Sequence, residues 1–210
     1  MGLFDLLFGR KRQEAHESQV RGNEAILADD AELDVRQERD YADIVEIARI
    51  LTNGNEDVIR DFTLLAQDHE AFAAKYADWC DDMLEDRRER DEAMLYVTAY
   101  WLVGHDTAYK FGGYIDWKEE TEEIMAHLAE AIGNLGYPLD MEKVAFSGEE
   151  FTNEALAVID ESFRDAGYTL ASLDIGGDCY HLFIVPLADF DRLAHLGAGL
   201  DLKFFNNFRE

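Results

Sequence analysis

Four side chains with catalytic or metal-binding chemistry lie close together in the sequence around a glycine pair at 176–177. Ser172 and Asp174 precede the glycines, and Cys179 and His181 follow them. An imidazole lowers the pKa of a neighbouring thiol and a carboxylate orients the imidazole, so a Cys-His-Asp group can supply a thiolate nucleophile. The same three groups are also zinc ligands. Asp174, Cys179 and His181 are therefore the candidates for an enzyme or metal-binding function.

The glycine pair predicts the turn of a tight β-hairpin with strands over 168–175 and 178–185. Two-residue hairpin loops favour Gly-Gly because their central residues need a positive φ. In this register the four polar side chains share one face of the hairpin, with Ser172 opposite His181. The other face is predicted to be core and carries Thr169, Ala171, Leu173, Ile175, Tyr180, Leu182 and Ile184.

A structural role is the simpler interpretation of the polar residues. Asp174 and Asp178 bracket the turn because aspartate favours such positions, and His181 can bond to Ser172 or Asp174. The members of a catalytic triad usually converge from separate elements rather than from one hairpin. We therefore expect no catalytic residue and no bound metal or other cofactor. The patch is assigned to structure or to contact with a partner, and its members are Asp116, Ser172, Asp174, Asp178 and His181.

Asp116 closes another predicted strand, 108–117, which is aromatic and bends at a glycine pair. If this strand lies beside the hairpin, the carboxylate of Asp116 joins the patch. The alternative is that Asp116 caps the helix that begins after Trp117. We favour the cap, because aspartate is among the preferred residues at a helix N-terminus.

Two segments of the chain resemble a known family. They are GYIDWKEETEE at 113–123 and LDIGGDCYHLF at 173–183. They resemble an uncharacterised bacterial family that pairs an IDWKE-like strand-to-helix turn with a later hairpin of the form D, two small residues, D-x-Y-hydrophobic. The resemblance covers about the last hundred residues. It implies an intracellular α+β domain without an established activity, and it transfers no catalytic role.

The net charge of the chain predicts the sign of the charge on its binding partners. The 210 residues include 46 acidic and 19 basic side chains, which gives a formal net charge of −27. Such a surface disfavours direct contact with nucleic acid or an anionic bilayer. Opposite net fields accelerate the encounter of two proteins. We therefore expect a non-enzymatic binding protein with a basic protein partner, for example an immunity-type inhibitor of a nuclease toxin. A small enzyme or metal-binding domain is the alternative.

The periodicity of apolar residues predicts an α+β fold. Its helical N-terminal half packs with a small, mostly antiparallel sheet of three or four strands, which helices cover on one face. Predicted helices span 41–52, 56–66, 72–84, 91–103, 119–134, 149–166 and 188–196, and a last strand spans 200–205. We expect one domain over 41–210, with a subdivision near residue 104 as the alternative.

Residues 1–40 are predicted to form a short amphipathic leader and a solvated linker. The residues typical of a weak membrane-surface anchor are Leu3, Phe4, Leu7, Phe8, Arg10, Lys11 and Arg12. This leader either holds an accessory protein at the inner membrane or packs on the body. It is too short to span a bilayer, and its basic residues follow the apolar ones, unlike a secretory signal. Cys80 and Cys179 match no disulfide or zinc spacing, so we expect a cytoplasmic protein.

Overall fold

The computed structural model describes residues 40–85, 89–146 and 150–209. The predicted membrane-surface leader therefore lies outside the described residues, with all its candidates: Leu3, Phe4, Leu7, Phe8, Arg10, Lys11 and Arg12. Residues Asp40–Glu210 form one compact unit. No described helix has both the length and the apolar composition that a bilayer span requires.

The first half of this unit is helical, as its apolar spacing predicts. Its helices are α1 (Asp43–Leu51), α2 (Glu56–Gln67), α3 (His69–Lys75), α4 (Ala77–Leu84) and α5 (Arg90–Tyr96). In α1 the side chains of Ile44, Ile47 and Leu51 are fully buried, which confirms the helical period. Asn55 and Asp68 accept hydrogen bonds from amides in the first turns of α2 and α3, and these caps fix where the two helices begin.

Two predicted helices are interrupted. The predicted helix 72–84 divides at Tyr76 into α3 and α4, and the predicted helix 91–103 begins as α5 and widens into a π-helical turn at Val97–Trp101. A π-helical turn shifts the following side chains around the helix axis, and such turns are frequent at functional sites. Here the turn carries Tyr100, which contacts the sheet, and Trp101, which packs among other aromatic side chains.

The second half contains a four-stranded antiparallel sheet in the order β1-β3-β2-β4. Its strands are β1 (Gly112–Asp116), β2 (Tyr168–Asp174), β3 (Cys179–Pro186) and β4 (Lys203–Phe205). The helices of this half are α6 (Thr121–Leu135), α7 (Thr152–Asp165) and α8 (Phe190–Gly199). The helix α6 ends at Gly136, whose φ of 67° places it in the left-handed region that favours glycine. The α+β class and the four-stranded antiparallel sheet are confirmed.

Helices cover both faces of the sheet, whereas the sequence predicts cover on one face. On one face His181 packs against Tyr100, with ring centroids 4.6 Å apart. On the other face a methyl group on Gly113 would lie only 3.1 Å from the Cβ of His127 in α6. The physical reason is the burial of β2 at all five positions from 169 to 173, since a strand without a solvated face needs cover on both sides.

Candidate functional site

The two strands of the hairpin pair in a register that is shifted by one residue from the predicted one. Leu173 lies opposite His181, and Ser172 lies opposite Leu182. The turn accounts for this shift of the register. In it, the carboxylate of Asp174 accepts a hydrogen bond from the amide of Gly176 at 2.8 Å. This Asx turn begins the loop before the glycine pair, and the loop is longer than the predicted two residues.

The shifted register separates the predicted polar patch. Side chains directly opposite each other share a face of the sheet, and a slip of one residue moves a side chain to the other face. Ser172 and Asp174 therefore project from the face opposite to that of Cys179 and His181. The prediction of one face carrying all four side chains is wrong, and the structure does not assemble the Cys-His-Asp group.

His181 and Ser172 are buried on opposite faces of the sheet and do not reach the surface. Both ring nitrogens of His181 and the hydroxyl of Ser172 lack hydrogen-bond partners among the described residues. The predicted bond from His181 to Ser172 or Asp174 is therefore wrong. Burial lowers the pKa of His181 to about 4, so the imidazole is neutral near pH 7 and has no acidic partner to orient it.

Asp116 lies beside the hairpin, directly opposite Cys179 in the sheet. Its carboxylate accepts a hydrogen bond from the amide of Lys118 at 2.9 Å. The helix α6 begins only at Thr121, and its N-cap position is Glu120. The preferred prediction, that Asp116 caps this helix, is therefore wrong, because a short turn separates the strand from the helix.

The environment of Cys179 favours the protonated thiol. Burial is the largest effect and raises the pKa of Cys179. A hydrogen bond with Tyr114 opposes it, and the charges of Asp116 and Asp178 add smaller effects in the raising direction. A nucleophilic cysteine needs a lowered pKa and cationic neighbours. Among the described residues, no group of three or more histidine, cysteine, aspartate or glutamate side chains could hold a metal ion.

The surface next to Cys179 is aromatic and acidic. Trp117 is 54% exposed and Phe151 is 76% exposed, although both side chains are large and apolar. They border a cavity of about 780 Å³, which continues past Trp117 and Tyr180 into a recess of about 400 Å³. We call this continuous surface the aromatic-acidic groove. Its aromatic and charged residues are Trp117, Phe151, Tyr180, Phe205, Lys118, Glu119, Glu120, Glu122, Glu150, Asp174 and Asp178.

The backbone of Trp117 is held from both sides. Its amide donates a hydrogen bond to the carbonyl of Asp178 at 3.2 Å, and its carbonyl accepts one from the hydroxyl of Thr152 at 2.7 Å. These bonds join the end of β1 to the hairpin loop and to the start of α7. The Nζ atom of Lys118 lies 4.3 Å from the centroid of the Trp117 ring. The exposed indole of Trp117 is therefore attached to a backbone held by hydrogen bonds, and its ring already makes a cation–π contact with Lys118.

Negative charge is crowded at the rim of the aromatic-acidic groove. A hydrogen bond with Glu119 raises the pKa of Glu123, and the charges of Glu119 and Glu120 add to this effect. The repulsion between neighbouring carboxylates is thus one part of this shift, after the hydrogen bond. The described residues that line the groove include six carboxylates and one lysine. A cationic partner would relieve this repulsion.

Sequence reasoning found part of this groove and missed the rest. Asp174 and Asp178 belong to the predicted partner patch and line the recess, together with Cys179. Tyr180 lies on the face of the hairpin that the sequence predicts to be core, and the sequence gives no expectation of an exposed Phe151 at the start of the predicted helix 149–166. The signal that could have located the groove is Trp117, which stands in a turn directly before Lys118-Glu119-Glu120.

Fold and groove together define an α+β domain with an exposed acidic and aromatic groove. The chain belongs to the family described as Domain of unknown function (DUF6630), which matches residues 43–208. This match confirms the expectation of a domain family of unknown function. It also extends that expectation, because it includes the N-terminal helices as well as the two segments that carry the resemblance. No curated protein and no solved structure matches the chain.

Proposed function

We propose that the protein is a non-enzymatic binding protein of the bacterial cytoplasm that docks a basic protein partner in the aromatic-acidic groove. The observation that carries this proposal is Trp117, an exposed indole on a fixed backbone with carboxylates along both adjoining cavities. Tryptophan is enriched among the residues that dominate binding energy at protein interfaces. An anchor held in place before binding loses little conformational freedom in the complex.

The chemistry of the groove selects arginine and lysine side chains. A guanidinium or ammonium group can stack on the ring of Trp117, as the Nζ atom of Lys118 does. The surrounding carboxylates can then pair with further basic residues of the partner through charge-assisted hydrogen bonds. A partner with a basic segment gains both contacts, whereas an acidic partner meets the repulsion of the groove and of the net charge of −27.

An immunity-type inhibitor of a nuclease toxin is the form of this function that we propose. A nuclease presents cationic surface to the phosphates of its substrate, and an acidic protein can cover that surface. The cytoplasmic compartment is supported by the spacing of Cys80 and Cys179, which matches no disulfide framework.

The test is capture of the partner by the tagged full-length chain from its own lysate, at low and high salt, with mass spectrometry of the bound proteins. We expect a stoichiometric basic protein that high salt releases. Trp117→Ala should lose this partner. Leu187→Ala should retain it, because Leu187 is also an exposed apolar residue but lies outside the groove. Equal capture by both variants, or a partner that is not basic, would refute the proposal.

A further inference from the structure

A second cavity, of about 660 Å³, opens between α4, the π-helical turn and the loop at 106–109. We call it the tryptophan pocket. The aromatic side chains that line it are Tyr76, Trp79, Trp101 and Tyr109. It shares no lining residue with the aromatic-acidic groove. Its volume lies within the range of pockets that hold small molecules.

Trp101 is the centre of the aromatic wall. Its ring centroid lies 4.4 Å from that of Tyr76, 4.9 Å from that of Trp79 and 5.9 Å from that of Tyr109. Trp101 is only 4% exposed, yet its Nε1 atom has no hydrogen-bond partner among the described residues. A buried indole N–H normally has an acceptor. Trp101 therefore packs within an aromatic cluster, and the described residues leave its N–H donor unsatisfied.

The rim of the tryptophan pocket is negative. The carboxylates of Asp78, Asp82 and Asp106 line it. No described basic side chain pairs with them. Lys75 also lines the pocket, but its Nζ atom lies 2.8 Å from a carboxylate oxygen of Asp61. Asp61 is buried and also accepts a hydrogen bond from the hydroxyl of Tyr109 at 2.9 Å. The charge of Lys75 is thus compensated, whereas no ion pair within the described part of the chain compensates the carboxylates of the rim.

The aromatic wall can receive a cation. The Nζ atom of Lys75 lies 4.7 Å from the centroid of the Tyr76 ring, within the range of cation–π contacts. Electron-rich rings together with nearby carboxylates are the combination that recognises quaternary ammonium groups. We propose that the tryptophan pocket binds a small organic cation of this class. The aromatic rings contact its apolar surface, and Asp78, Asp82 and Asp106 compensate its charge. This proposal is independent of the function of the groove.

Tryptophan fluorescence provides a local measurement. The chain has three tryptophans, and two of them, Trp79 and Trp101, line the pocket. In the variant Trp117→Phe all tryptophan emission therefore comes from the pocket. Choline chloride is the probe, titrated against an equal concentration of sodium chloride. The control ligand is dimethylbutanol, the uncharged isostere in which carbon replaces the ammonium nitrogen.

We expect saturable quenching or a spectral shift by choline with a dissociation constant on the order of 1 mM, and no saturable change with the isostere. The double variant Asp82→Asn/Asp106→Asn should bind choline at least about fivefold more weakly. Asparagine suits position 106, because the backbone there has a φ of 53° and asparagine tolerates the left-handed region. Asp174→Asn, which removes a carboxylate of the groove, should leave choline affinity unchanged.

Three results would overturn the proposal. Equal responses to choline and to its uncharged isostere would show that charge plays no part, and no response to either would show that the pocket binds neither. Unchanged choline affinity in Asp82→Asn/Asp106→Asn would exclude the rim carboxylates from binding. Melting temperatures of all variants check that each retains the fold, so that weaker binding reports on the pocket.

Discussion

His181 of β3 packs edge-on against Tyr100 of the π-helical turn, with ring centroids 4.6 Å apart and ring planes at 82°. The imidazole is fully buried, and neither nitrogen has a hydrogen-bond partner in the described part of the chain. Burial lowers the pKa of His181 to about 4, and His105 acts in the same direction. A neutral ring therefore joins the helical half of the domain to the sheet.

The unfolding free energy should fall between pH 7 and pH 4. The unfolded chain binds a proton on His181 near the ordinary histidine pKa of 6.5, whereas the folded chain binds it only near pH 4. Acidification within this window therefore favours unfolding, by at most about 3 kcal/mol. His181→Phe keeps an aromatic ring but cannot titrate. In urea titrations we expect it to lose about 3 kcal/mol less than the wild type over the same window.

The control for this experiment is His195→Gln, because it replaces a histidine at an exposed position. Its unfolding free energy should follow the pH dependence of the wild type. If the unfolding free energies of the wild type and His181→Phe changed by the same amount between pH 7 and pH 4, this result would contradict a buried, neutral His181.

Alkylation of the native protein should be slow. Burial raises the pKa of Cys179, so its thiol supplies little thiolate at neutral pH, and Cys80 is buried in the core away from the reagent. In a Cys80→Ala variant we expect iodoacetamide to modify Cys179 more slowly than free cysteine at pH 7.5, with the inflection of the rate above that of free cysteine because the pKa of Cys179 is raised. Asp178→Asn should speed the reaction, because it removes a charge that raises the pKa. A fast reaction with an inflection below pH 8 would restore the enzyme hypothesis.

Asp160→Ala should destabilise the fold. One carboxylate oxygen of Asp160 accepts hydrogen bonds from the hydroxyl of Thr169 at 2.7 Å and from the amide of Leu170 at 2.8 Å. Both donors are buried, so the substitution leaves them without this acceptor and costs about 3 kcal/mol. Denaturant titration measures the loss. Asp165→Ala, at an exposed position of the same helix, should change stability by less than about 0.5 kcal/mol. Similar effects of the two substitutions would show that the buried bonds contribute little.

Local sequence signals predicted most elements of the fold. The spacing of Ile44, Ile47 and Leu51 predicted the helix 41–52 that contains α1, and the predicted helix 119–134 nearly coincides with α6. The glycine pair at 176–177 located the hairpin. These signals act between residues a few positions apart, where helical and strand periods and turn preferences decide the conformation.

The candidate site was harder to predict, because its geometry depends on contacts between distant residues. One hydrogen bond, from the amide of Gly176 to Asp174, lengthened the turn and moved the polar side chains to opposite faces. The burial of His181 depends on Tyr100, which lies 81 residues earlier in the chain. Periodicity alone could not show either contact.

The central claim is that the aromatic-acidic groove binds basic partners. Fluorescence anisotropy of a labelled arginine-rich decapeptide tests it on the full-length chain. We expect binding that weakens as salt rises. Trp117→Ala and Glu122→Lys should each weaken binding about tenfold, which corresponds to about 1.4 kcal/mol.

Matched controls in this measurement separate the groove from the net charge. Leu187→Ala removes an exposed apolar side chain elsewhere, and Glu56→Lys reverses a charge in the first turn of α2, as Glu122→Lys does in α6. We expect both controls to bind within about twofold of the wild type. Equal affinities for all four variants, or binding that salt does not weaken, would contradict the account.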